Sequence, residues 1–191
     1  MARHSVREQL IDAGLQTLQL SGFNGCAVQD ITQAAGVPKG SFYNHFESKE
    51  ALALLALERF WESGTERRAL LSEASVDPVE RLRRHFRALS DAVITQEFQK
   101  GCLIGNFSSE MAKNEDIRRR LALIYVSWSR VLASCIEEAA GIGKVRPDLP
   151  AEMIASFLVN AWEGSVLQSK VEQQRDALDR FEQVVFASFF V

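Results

Sequence analysis

The stretch V-Q-D-I-T-Q-A-A-G-V-P-K-G-S-F-Y-N-H-F-E-S-K, Val28 to Lys49, decides the fold. On both sides of A-A-G-V-P-K-G apolar residues repeat at helical spacing: Val28, Ile31 and Ala35 before the break, Phe42 and Phe46 after it. Gly36 suits the left-handed residue that closes a first helix, and Pro38 suits the first turn of a second. Two short helices joined by about three or four residues including glycine form a helix-turn-helix. The second helix presents Lys39, Ser41, Tyr43, Asn44 and His45 between two phenylalanine anchors. A helix that reads DNA needs this pattern, with apolar residues to fix its angle and donors on its outer face.

Upstream, Ser5-Val-Arg-Glu8 reads as a capping box opening a helix with Leu10, Ile11, Gly14, Leu15 and Leu18 on one face, stopped at Ser21-Gly22. Arg3 and Arg7 near its start face either solvent or DNA phosphates. Downstream, Ser48 caps a long helix carrying Leu52, Leu55 and Phe60 toward Leu70 and Leu71, some 20 residues or roughly 30 Å. Residues 72–77 are a linker, and Asp77-Pro78-Val79-Glu80 restarts helix through Leu82, Phe86, Leu89, Val93 and Phe98. A short helix from Cys102 to Ala112 follows. Asn114 then caps one with Ile117, Leu121, Ile124, Trp128, Leu132, Cys135 and Ile136 on one face, ended by Gly141-Ile142-Gly143. Beyond the loop K-V-R-P-D-L-P come helices at 151–173 and 177–190. The expectation is an all-α chain of about nine helices. It divides into a three-helix DNA-binding domain at 1–49, a connecting helix and linker at 50–77, and a ligand-sensing and dimerisation domain at 78–191.

The 191 residues suffice for one large domain or two small ones, and 47% hydrophobic with 25% charged residues is the balance of a soluble globular protein. A net charge of -3 excludes general coating of nucleic acid but not a local contact surface. Within residues 1–49, Arg3, Arg7, Lys39 and Lys49 balance Glu8, Asp12, Asp30 and Glu47, so nonspecific affinity is expected to be modest. Cys26, Cys102 and Cys135 are too scattered for a disulfide framework, and His4, His45 and His85 form no metal-ligand pattern, so no metal or cofactor is expected. No secretory segment opens the chain and no stretch reaches about 18 apolar residues. A cytoplasmic, reduced protein without membrane contact is expected.

Gly22-Phe23, Asp30-Ile31, Ala35-Gly36-Val37 and K-G-S-F-Y-N-H-F-E-S-K-E from Lys39 to Glu50 occur in an order that resembles the TetR family of transcriptional regulators. G-C-L-I-G-N at Gly101–Asn106 and A-W-E-G at Ala161–Gly164 extend the likeness more loosely. The resemblance implies a homodimer on a two-fold-related operator, released when a ligand binds the second domain. A dimer places two reading helices about 34 Å apart, because one helix reads only a few base pairs. The resemblance also implies DNA contacts by Lys39, Gly40, Ser41, Tyr43, His45 and Lys49. Ser or Thr often stands in the family where this chain has Ala27, which neither caps a helix nor touches phosphate; Gln29 is the nearest substitute donor.

In residues 78–190 three tryptophans, many phenylalanines and the small residues Gly105, Gly164 and Ser165 suit a pocket for a small organic inducer. Cys102 at a helix start and Lys170 after the W-E-G motif resemble a branch of the family that responds to electrophiles and oxidants. If they meet, the ammonium favours a reactive thiolate; otherwise Cys102 is a buried small hydrophobe and Lys170 a surface cation. Phe157, Trp162, Val166, Phe181, Val185 and Phe189 are expected at a four-helix dimer interface. The alternatives are a cysteine-dependent enzyme, which lacks a histidine partner in any suggestive pattern, and a helical protein-binding adaptor, against which the basic and polar face of 39–49 argues.

Overall fold

The computed structural model describes residues 5–146 and 148–191; Arg3, His4 and Pro147, considered above, lie outside them. The described residues form ten α-helices: α1 Val6–Ser21, α2 Val28–Ala34, α3 Gly40–Tyr43, α4 Lys49–Ser63, α5 Thr65–Ala69, α6 Pro78–Thr95, α7 Leu103–Glu110, α8 Glu115–Gly141, α9 Ala151–Glu172 and α10 Asp176–Ser188. A 3-10 turn, Leu70–Ser72, lies between α5 and α6. The all-α expectation holds. The helix expected to run from 49 to about 71 is instead broken at Gly64, whose carbonyl accepts the Arg68 N–H at 3.0 Å and starts α5 afresh. A single glycine supplies the break because it has least to lose by leaving the helix.

The helices gather into two compact units, one from the N-terminal residues to Ser63 together with Cys102–Leu121, the other Gly64–Gly101 with Ala122–Val191. Thus α7, which the sequence division groups with residues 78–191, packs in the first unit.

In the first unit the Glu8 N–H donates to Ser5 Oγ at 3.3 Å, capping α1 as its sequence requires. Leu10, Ile11, Leu15 and Leu18 of α1 and Leu52, Ala53, Ala56 and Leu57 of α4 are buried together. Gly14 permits this close packing, since a Cβ there would collide with Leu52. At the rim, Arg59 of α4 donates to Asp12 at 2.6 Å and also to Glu8. Arg120 of α8 donates to Glu58 of α4 at 2.5 Å.

In the second unit Asp77 caps α6, accepting the N–H groups of Val79 and Glu80 at 3.0 and 3.4 Å ahead of a first-turn proline. Leu82 and Phe86 of α6, Ile124 and Leu132 of α8, Leu158 and Val166 of α9 and Val185 of α10 form its core. Phe86 meets Phe181 with ring centroids 4.9 Å apart. The C-terminal F-F-V is fixed within this unit. Arg146 N–H donates to Phe189 O at 2.9 Å, Val191 N–H to Lys144 O at 3.1 Å, and Phe190 is buried against Phe186.

His85 of α6 is fully buried. Its Nδ1 lies 2.8 Å from the Arg67 carbonyl and its Nε2 3.3 Å from Trp128 Nε1. A carbonyl only accepts and an indole N–H only donates, so the ring is neutral with its proton on Nδ1. Burial pushes its pKa down to about 4, and the nearby Arg68 and Arg67 charges act in the same direction. The unfolded chain takes a proton on this ring near pH 6.5, whereas the folded chain resists it until about pH 4. Stability from this group is therefore complete above pH 6.5 and is lost as pH falls through that window, on the order of 3 kcal/mol in all. Urea unfolding at pH 7.5 and 5.0 should show His85→Gln losing less stability on acidification than the parent.

Candidate nucleic-acid interface

The chain enters α2 without a side-chain cap. Ala27 offers no oxygen, and the Ala27 N–H instead donates to Asp30 Oδ2 at 2.7 Å, half of a capping box. Ile31 and Thr32 are buried, and α2 ends as expected with Gly36 left-handed at φ 67°. The second helix is shorter than its spacing predicts. It spans Gly40–Tyr43, and Pro38 stands before it, its carbonyl accepting the Ser41 N–H at 2.9 Å. Asn44 and His45 follow in a turn held by Phe46 N–H on Phe42 O at 2.9 Å. Phe42 and Phe46 are buried with centroids 5.4 Å apart, so this single turn rests on two aromatic anchors.

Above those anchors Lys39, Gly40, Tyr43, Asn44 and His45 are exposed, Tyr43 at 61%, and Ser41 is half-buried. Gln29 in the first turn of α2 is also exposed. A Cβ on Gly40 would meet nothing within 4 Å, so no packing inside the chain calls for glycine there. Arg7 lies over the Phe46 ring at 5.6 Å and pairs with Glu8 at 3.4 Å.

Lys49 has a different place from the phosphate anchor expected of it. Its ammonium is turned inward, donating to the carbonyls of Phe23 and Cys26 at 2.7 Å each and sitting 3.9 Å from the centroid of the Phe23 ring. The first residue of α4 therefore clamps the turn that leads into α2. A second hold on that turn had no local signal in the sequence: Glu110, 86 residues away, accepts the Asn24 N–H at 2.7 Å.

The remaining candidates are distributed as follows. Cys102 is buried in the first unit at the start of α7, and Lys170 is half-buried in the last turn of α9 in the second. Burial raises the pKa of Cys26, and that of Cys135 to about 11, in keeping with core roles; Cys135 Sγ donates to Pro78 O at 3.2 Å. Of the residues expected at a dimer interface, Trp162, Val166, Phe181 and Val185 are buried within their own unit. Helical spacing marks them as apolar, and the helix that covers them belongs to the same chain. Phe157, in contrast, is 52% exposed and stacks on Phe189 at 5.5 Å. It stands in an exposed row along α9 with Met153, Leu167 and Val171, and Val184 of α10 is exposed as well. Gly164 lies in the same row, and a Cβ there would meet nothing within 4 Å. An open cleft of about 440 Å³ in the second unit is lined by Ile136, Ala140, Val145 and Leu149 with Glu137, Arg146 and Asp148, and by no tryptophan.

Residues 10–56 match the family described as bacterial regulatory proteins, tetR family, and residues 78–185 the tetracyclin repressor-like C-terminal domain. The chain belongs to the TetR family of transcriptional regulators. It is 44% identical to the HTH-type transcriptional repressor DhaR of Mycobacterium sp. (strain GP1), over 97% of this chain and 93% of that one. The crystal structure of a regulatory protein TetR from Rhodobacter sphaeroides superposes with a TM-score of 0.90 at 31% identity, covering 96% of this chain and 98% of the other. The reduced form of Escherichia coli NemR does so with a TM-score of 0.82 at 26% identity, covering 97% of each chain. As a TetR-family member the chain is a DNA-binding regulator, and the enzyme and adaptor alternatives are set aside. Among the described residues no helix is long and apolar enough to cross a membrane.

The two lysines of this TetR-family motif should respond differently to substitution. Lys39→Gln should reduce the salt slope of DNA binding by about one, the signature of a lost phosphate contact. Lys49→Met should leave that slope unchanged and lower stability by about 2 kcal/mol, as the loss of charge-assisted bonds requires. Fluorescence-anisotropy titrations at several salt concentrations, with thermal melts, separate the two.

Proposed function

We propose that this chain is a cytoplasmic repressor that binds a palindromic operator as a homodimer and leaves it when a small organic or electrophilic molecule acts on the C-terminal part. The carrying observation is the exposed face of residues 39–45, α3 with its flanks: Lys39, Gly40, Tyr43 and His45 stand over two buried phenylalanines, and Gly40 has open space where a Cβ would project. Such a face enters a major groove with donors foremost, and glycine allows backbone and DNA to approach closely. Ser41 and Gln29 complete the donor set, and Arg7 supplies a cation at its edge.

The exposed row on α9 supports dimerisation. Met153, Phe157, Gly164, Leu167 and Val171 fall at intervals of four, seven, three and four, one helical face, and Val171 is 84% exposed. Mid-helix glycine costs about 1 kcal/mol relative to alanine. Close approach of a second helix is a use for it that the chain by itself does not supply. Pairing α9 and α10 across a two-fold axis would cover this row, with Phe157 and Phe189 in it and Trp162, Val166, Phe181 and Val185 behind as support.

For release, Cys102 is the thiol that fits an electrophile, because it stands at the start of α7, where the helix N-terminus favours a thiolate. The likeness to NemR, solved in a form named as reduced, supports a redox-responsive reading.

Two measurements test these readings. Phe157→Arg should convert a dimer to a monomer in sedimentation and weaken operator binding at least tenfold; a variant that remains dimeric and binds normally removes the α9 interface. Cys102→Ser should bind operator like the parent yet resist release by an electrophile such as N-ethylmaleimide in a gel shift. Release at parental concentrations would exclude Cys102 as the sensor.

A further inference from the structure

The turn from Gly22 to Cys26 connects α1 to α2, and groups from two other helices hold it. From α4, the Lys49 ammonium takes the carbonyls of Phe23 and Cys26. From α7, the Glu110 carboxylate takes the Asn24 N–H at 2.7 Å, and Phe107 meets the Phe23 ring edge-on at 6.3 Å. Gly22, left-handed at φ 71°, makes room for this: a Cβ there would collide with Glu110 Oε1. All these groups lie in one compact unit. Cation and anion thus hold opposite polarities of the same few peptide groups. Beyond them α2 begins at Val28 with no side-chain cap of its own.

From this arrangement we propose that Glu110 is a positioning residue for DNA recognition, fixing the direction in which the chain leaves the 22–26 turn into α2 without touching DNA. The physical reason lies in what the turn lacks. Asp30 holds the Ala27 N–H at 2.7 Å, but with no oxygen on the Ala27 side chain the start of α2 is held from one side only and can tilt with the orientation of its preceding residues. A carboxylate on a separate helix, bonded to a backbone N–H, removes that freedom with a charge-assisted bond. The sign of the effect separates positioning from electrostatics. An acidic group acting through its charge would oppose phosphate binding, so its removal would tighten the complex; a positioning group does the reverse.

The inference rests on the operator-binding reading, and the experiment keeps the two apart. A duplex is first selected by the unsubstituted protein from a randomised library. Glu110→Ala should bind that duplex about tenfold more weakly, the scale of one charge-assisted hydrogen bond, at an unchanged salt slope. Glu110→Gln, whose amide oxygen still accepts, should recover most of the affinity. Hydrogen exchange should show the Asn24 amide losing protection in Glu110→Ala while the buried amides of α1 and α4 keep theirs. Unchanged or tighter binding by Glu110→Ala would overturn the inference, as would a lowered melting temperature with equal loss in both variants. Failure of the unsubstituted protein to select any duplex would overturn the operator reading itself.

Discussion

One ammonium group governs the first compact unit. Lys49 opens α4, yet its charge is spent on two carbonyls in the turn before α2 and on the face of Phe23. The Phe23 carbonyl also accepts the Cys26 N–H at 3.3 Å, and the ammonium adds a charge-assisted donor to it and to the Cys26 carbonyl. The same contact fixes the distance between the start of α4 and the start of α2, so the helix-turn-helix is built outward from it. Aromatic packing completes the arrangement: Phe23 lies between this ammonium and Phe107, while Phe42 and Phe46 anchor α3. With the cation so committed, fewer positive charges remain for phosphate than the sequence count implies.

Much of this was legible in the sequence, and the pattern of what was missed is physical. Ser5, Asp77-Pro78, Gly22 and Gly36 act within one turn of themselves, so their meaning was readable from neighbours, and each stands as its chemistry requires. The break at Gly64 was not legible, because one glycine in a periodic run is compatible with either outcome. The direction of Lys49 was not legible either: spacing places a side chain on a helix but does not say which of two nearby acceptors it will reach. Glu110 and Asn24 are 86 residues apart, and nothing local joins them. For the α9 and α10 residues, periodicity identified apolar sides correctly but not their covers. Trp162 and Phe181 are covered by their own unit, whereas Phe157 is not.

The second unit stabilises itself through a different device. Its core includes a neutral histidine bridged to a carbonyl and an indole. Such a group specifies packing more sharply than an aliphatic of equal volume, since both ring nitrogens must find their partners together. Around it α9 is asymmetric: Leu158, Trp162 and Val166 face inward and Phe157, Leu167 and Val171 outward. The inward side defines one chain's fold. The outward side carries the self-association proposed above, so the two demands fall on separate residues of a single helix.

The brevity of α3 has an evolutionary consequence. A four-residue helix cannot form alone, because nucleation costs more than one turn returns. Its shape is lent to it by the buried Phe42 and Phe46 beneath and by the left-handed Gly36 before it. Lys39, Tyr43, Asn44 and His45 contribute little to that shape and are open to replacement without loss of the fold. If the proposed reading face chooses the target, target choice and structural integrity are inherited on different residues, and a lineage carrying this scaffold can drift from one regulatory address to another while its architecture stays still.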